Sequence, residues 1–173
     1  MPKNPFIQKQ HRSRSTVSQG YFTELEPPIL SLNIQNYFIE FGAAELSPNL
    51  FEVNGEEYEA EILFGTSRSK QYDLKDAARL YKERIPKDCI PFAYLSGGDL
   101  LLLDLKSEAL KLWLHELFDE YEIRKSKKKL PLFIDNYKDF FKSLRHESGI
   151  KDTDPDAEVW IDPEFLKKLN KSK

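Results

Sequence analysis

IPFAYLSGGDLLLLDLKSEALKLWLHE, residues 90–116, is the stretch whose reading decides the fold. Ile90, Pro91, Phe92 and Ala93 form an apolar run of β type, entered from a proline-punctuated loop. Gly97-Gly98 supplies two residues without Cβ, the usual means of reaching positive φ in a tight turn between strands. Asp99 leads into Leu100–Leu103, too short for a comfortable helix, which reads as a strand covered on both faces. A turn at Lys106-Ser107-Glu108 follows. Beyond it Leu110, Leu112 and Leu114 alternate with Lys111, Trp113 and His115. Leu117, Phe118 and Asp119 also let Leu112–Glu116 begin a helix, but the alternation favours a strand. Phe92, Leu101, Leu103 and Trp113 are the expected core of this unit.

Upstream, Leu30, Ile34, Tyr37, Phe38 and Phe41 recur at helical spacing, predicting a helix from about Ser31 to Ala43 with one apolar face. Leu50, Phe51 and Val53, then Asn54-Gly55, then Tyr58, Ala60, Ile62 and Phe64 predict a hairpin. In strict alternation Glu57, Glu59 and Glu61 would face solvent together. Asp73 is the natural N-cap of a helix over about 74–84, with Leu74, Ala77, Ala78 and Tyr81 inward and Pro86 beyond its end. Downstream, Tyr121 and Ile123 suggest a short strand or connector, and Arg124–Lys129 a solvated basic loop. Asp135 is the expected cap of a last helix through His146, carrying Tyr137, Phe140, Phe141 and Leu144. The whole predicts one α+β domain over 20–149, a mostly antiparallel mixed sheet flanked by helices. Residues 1–19 form a flexible arm of net charge +4 from Lys3, Lys9, Arg12 and Arg14, on which Phe6 and Ile7 are the residues able to dock. Residues 150–173 form an extension with a short helix after Asp162-Pro163, held to the domain or a partner through Trp160.

Ile90-Pro91-Phe92-Ala93, Gly97-Gly98-Asp99, Leu103-Asp104-Leu105, Trp113 and His115-Glu116 together resemble the central signature of the SUKH superfamily. That group includes fungal cell-wall-assembly regulators and bacterial immunity proteins encoded beside secreted toxins. The resemblance spans roughly Glu26 to His146, with the specific motifs in the middle. It is that of a divergent member. Tyr37–Ala44 stands in place of the aromatic-Asn-Gly-Gly that commonly ends the family's first helix, and Leu114 in place of an acid. The resemblance implies a SUKH-like fold and a protein-binding role: neutralising a toxin domain, or scaffolding regulation in the manner of the cell-wall regulators.

Composition and charge narrow the classes. A chain of 173 residues can bury a core without metal or disulfide. With 40% hydrophobic and 13% aromatic residues it is a folded chain rather than a disordered one. Cys89 is the single cysteine, which excludes an intramolecular disulfide and suits a reducing compartment. Residues 1–19 hold no apolar leader core, and no run reaches the roughly 18 residues a spanning helix needs, so the expectation is cytoplasmic with no membrane partner. From Glu24 to Ser67 the chain carries Glu24, Glu26, Glu40, Glu45, Glu52, Glu56, Glu57, Glu59 and Glu61 and no base, a local −9 in a chain of −3. Such a segment repels nucleic acid and steers basic protein surfaces toward itself, or serves only to keep an exposed sheet soluble. Combined with the resemblance, Glu52, Glu56, Glu57, Glu59 and Glu61 become the candidate partner face for a basic toxin domain.

Motifs for catalysis are sparse. No phosphate-binding glycine loop, Gly-x-Ser-x-Gly elbow or Cys-x-x-Cys pair occurs, and His115-Glu116 lacks the second histidine of a zinc-protease helix because position 119 is Asp119. Convergence of Asp99, Asp104, His115 and Glu116 would make a hydrolase or metal site. The plainer expectation is that both aspartates cap turns, His115 makes a structural hydrogen bond and Cys89 is a small buried residue. The reading is therefore a non-enzymatic binding module that needs no cofactor.

Overall fold

Four consecutive leucines, Leu100–Leu103, are wholly buried, and the rest of the molecule is arranged to cover both of their faces. The computed structural model describes residues 7–10, 20–116 and 129–146. They form a sheet in the order β1 (Ile7–Gln10), β2 (Ala44–Leu46), β4 (Glu56–Leu63), β5 (Cys89–Leu95), β6 (Leu100–Asp104), β7 (Leu110–Trp113), β8 (Leu132–Ile134). Strand β3 (Leu50–Val53) pairs off this path with β4. Every pairing of these strands is antiparallel. The helices are α1 (Gly20–Thr23), α2 (Leu32–Phe41), α3 (Leu74–Tyr81) and α4 (Phe140–Ser143), so the architecture is α+β. Leu112–Trp113 is strand, as the alternation favours.

The β5–β6 turn uses both glycines: Gly97 has φ 84° and Gly98 φ 96°. Across it Tyr94 lies opposite Leu100, and Leu100 opposite Trp113. Directly opposed residues share a face, so this row meets α3. There the Tyr81 ring stands edge-on to Trp113 at 6.0 Å, and the Arg84 guanidinium lies 5.3 Å from the indole centroid. The register slips between Pro91 and Ala93, which makes Phe92 the extra residue of a bulge. Its ring packs against Tyr37 and Phe38 of α2 at 5.7 and 6.0 Å and against Phe140 of α4 at 5.1 Å. All four expected core residues, Phe92, Leu101, Leu103 and Trp113, are buried.

Helix α3 starts where its cap directs. Asp73 accepts from the Lys75 and Ser67 backbone N–H groups and from the Tyr21 hydroxyl, tying α1, a loop and α3 together. It ends at Tyr81, three residues short of the expected span, in a turn closed by the Arg84 N–H donating to the Tyr81 carbonyl.

Other expectations need correction. Leu30 is 74% exposed, because Ile29 plugs the core and α2 begins only after Ser31. The last helical segment is capped by Asn136, not Asp135, and stops at Ser143. Arg145 turns extended and exchanges both backbone hydrogen bonds with Leu50, which a helix through His146 would forbid. Residues 7–10 of the expected arm belong to the sheet as β1. The remainder of the arm, the readings at Tyr121 and Ile123, the basic run apart from exposed Lys129, and the 150–173 extension lie outside the described residues.

Candidate protein-binding surface

The β3–β4 hairpin turns through Asn54 (φ 55°) and Gly55 (φ 87°), the pair of positive φ angles a tight two-residue hairpin turn demands. Glu52 lies opposite Glu57 and Leu50 opposite Glu59, so Glu52, Glu57 and Glu59 share one face. Phe51 opposes Tyr58 and Val53 opposes Glu56 on the other face, where Phe51 stacks on Tyr58 at 5.8 Å and on Phe133 of β8 at 4.4 Å. One hairpin face thus carries Glu52, Glu57 and Glu59, and the other carries Phe51 and Tyr58 with Glu56 beside the turn.

Each glutamate has its own setting. Arg145 reaches between Glu57 at 2.8 Å and Glu52 at 3.4 Å, all three about half exposed. Asn49 donates to Glu59 at 2.7 Å. The Tyr58 hydroxyl donates to Glu56 at 2.7 Å, and partial burial, then the Glu56 carboxylate, then Asp99 push its phenol up to about 12. Glu61 is the exception to the expected acidic row. A register slip between Ala60 and Ile62 inserts it as a bulge residue, and it lines a separate groove against α3 instead of continuing the Glu57–Glu59 face.

The second candidate set is only partly assembled. His115 donates its backbone N–H to Asp99 Oδ1 at 2.9 Å and places its ring Nδ1 2.9 Å from the same oxygen. The ring's Nε2 lies 3.8 Å from Glu116 Oε1. Gly98 backs the ring, a Cβ there lying 3.6 Å from it. Asp104 is elsewhere: it sits at the far end of β6, accepting from the Lys106 and Ser107 backbone N–H groups and pairing with Lys111. The structure therefore brings Asp99, His115 and Glu116 together and leaves Asp104 to a turn. Among the described residues no group of three or more His, Cys, Asp or Glu side chains is placed to hold a metal ion. No helix among them is long and apolar enough to cross a membrane.

The other signature residues do structural work: Ile90, Pro91, Phe92 and Trp113 are buried and Gly97-Gly98 make the turn. Two contributors are not among the site residues expected from the sequence. Arg145 falls within the expected last helix, and its position beside Glu52 and Glu57 depends on a pairing with Leu50 across 95 residues of chain. Leu80 falls off the Leu74–Ala77–Ala78–Tyr81 face of α3, and that offset is the sequence signal of its exposed apolar surface. No protein-family description, curated protein or solved structure matches this chain.

Proposed function

We propose that this chain is a binding protein of the immunity type, which holds a cognate basic toxin domain and blocks its active site or its substrate's approach by bulk and charge. It does so without a cofactor or a chemical step of its own. The observation that carries the reading is the set of exposed carboxylates Glu52, Glu56, Glu57 and Glu59 on one rigid hairpin, with Arg145 the base drawn against them. Charges fixed on paired strands lose little entropy when a partner arrives, and their summed field accelerates encounter with a basic surface. The resemblance in residues 90–116 supports a protein-binding role, and the acidic hairpin turns that role toward a basic toxin domain.

The test is association kinetics. The chain is mixed with the product of its neighbouring gene, over a series of ionic strengths. Changing Glu56, Glu57 and Glu59 together to Gln is expected to slow association by roughly tenfold at low salt and to flatten its salt dependence. Because these groups are exposed, the fold is expected to persist. A triple variant that associates as fast as the unaltered chain at every ionic strength would remove the hairpin from the interface. Absence of any association with the neighbouring product would remove the immunity reading.

A further inference from the structure

The bulge that takes Glu61 off the hairpin face places it in the wall of a groove between α3 and the β4–β5 strands. The groove has a volume of about 620 Å³ and is lined mainly by Ile62, Phe64, Leu80, Tyr81 and Tyr94. Its floor follows from the register. Ile62 opposes Tyr94, so both project on the face that α3 covers, and both remain only half-buried. Its open side is marked by Leu80, an aliphatic side chain left 68% exposed.

We propose that this groove receives an arginine side chain with an adjacent apolar residue, presented by a segment of the partner protein. Glu61 is half-buried within β4, and among the described residues its carboxylate has no hydrogen bond or ion pair. A guanidinium can meet this carboxylate with two parallel, charge-assisted hydrogen bonds. Asp76 on the same rim adds to the negative potential, and its contact with exposed Arg79 is long, at 3.5 Å. Lys70, the one base of the lining among the described residues, is exposed on a flexible stem and can move its charge into water. The Tyr81 ring already carries the Arg84 guanidinium at 5.8 Å, so Tyr94 is the phenol ring of the lining that favours arginine over lysine. A planar, weakly hydrated guanidinium stacks on aromatic faces, whereas an ammonium loses more hydration there. The neighbouring apolar side chain of the segment covers Leu80 and Ile62. This inference takes from the binding reading only that the partner is a protein.

The experiment uses the full chain, labelled with nitrogen-15, and three capped peptides: acetyl-Leu-Arg-Leu-amide, its lysine analogue and its citrulline analogue, the last a neutral shape-mimic of arginine. Amide shifts are expected to be confined to residues 61–64, 77–81 and 94. The arginine peptide is expected to bind about fivefold or more tightly than either analogue, the margin of a charge-assisted, bidentate contact. Glu61→Gln is expected to erase the preference over citrulline, while Leu80→Ser weakens all three peptides alike. Both positions lie outside the close-packed core, and the spectra of the free variants report whether each is folded. Equal binding of arginine and citrulline peptides, shifts centred on Glu56–Glu59, or no shifts at millimolar peptide would each overturn the proposal. A working groove in a chain that ignores the toxin domain would sink the immunity reading alone.

Discussion

Gly65 runs against the backbone of Gly42 so closely that a Cβ on Gly65 would stand 2.2 Å from the Gly42 carbonyl carbon and 2.3 Å from its oxygen. Neither segment is free to retreat. Gly65 donates to the Tyr72 carbonyl and accepts from Leu74, while the Gly42 N–H closes the last turn of α2 on Phe38. Gly65→Ala is therefore expected to cost about 3 kcal/mol or more, the upper end for overpacking a filled site. Gly97→Ala is the matched control, since its Cβ would meet nothing within 4 Å and only the positive φ opposes it. That change is expected to cost roughly 1–2 kcal/mol. Urea midpoints decide it: equal losses for the two variants would contradict the close approach.

Phe92 and Trp113 hold the two faces of the same central strands. Each truncation to Ala is expected to cost about 3–5 kcal/mol, because each leaves a ring-sized cavity in a filled site. The two losses are expected to be nearly additive, since the rings contact different helices, α2 and α4 for Phe92 and α3 for Trp113. Thermal denaturation of the single and double variants measures this. A melting temperature unchanged in either single variant would contradict the arrangement.

Asp104 makes stability depend on acid. Burial alone would raise its carboxyl, but Lys111 and the Ser107 and Lys106 backbone N–H groups outweigh burial and hold it below the usual carboxylate range. A depressed native value means that the contribution is complete above the unfolded value, about 3.9, and is lost as pH falls through the native one. Asp104→Asn is expected to lower stability by about 1–3 kcal/mol at pH 7, with the difference from the unaltered chain shrinking below about pH 4. A gap between the two chains that stays constant down to strong acid would contradict the assignment.

Cys89 behaves oppositely with pH. Burial, then the nearby Asp104, pushes its thiol up to about 12. The native state therefore keeps a proton that an unfolded thiol gives up near 8.5, so stability is unaffected below that pH and declines as pH climbs toward 12. Under native conditions at pH 8 iodoacetamide is expected to label Cys89 only through unfolding, so the rate should rise with urea in step with the loss of structure. Rapid labelling of the folded chain would contradict its burial.

How far the chain could be read beforehand follows from where each element gets its instructions. The turns at Asn54-Gly55 and Gly97-Gly98, the Asp73 cap and the doubly covered leucine run are local chemistry, visible in a few adjacent residues. Strands β1, β2 and β8 are three or four residues long, and their partners define them more than their composition does. The candidate site suffered from one inserted residue. Parity holds through Glu57 and Glu59, and the bulge then sends Glu61 into a different groove. Arg145 could not be placed beside Glu52 without knowing that Leu50 captures its backbone.

The leucine run of β6 has a consequence for the chain before it folds. Leu100–Leu103 is a short apolar segment of the kind that self-associates as stacked strands when exposed. An aspartate stands at each end of it, and flanking charges of this kind interrupt such stacking. Its two partners, β5 and β7, are also its nearest neighbours in sequence, reached through the Ser96–Asp99 and Leu105–Ala109 turns. Pairing this local closes quickly, so this aggregation-prone segment has both edges occupied early. Substitutions that slow either turn are expected to lower the soluble yield even where the finished fold tolerates them.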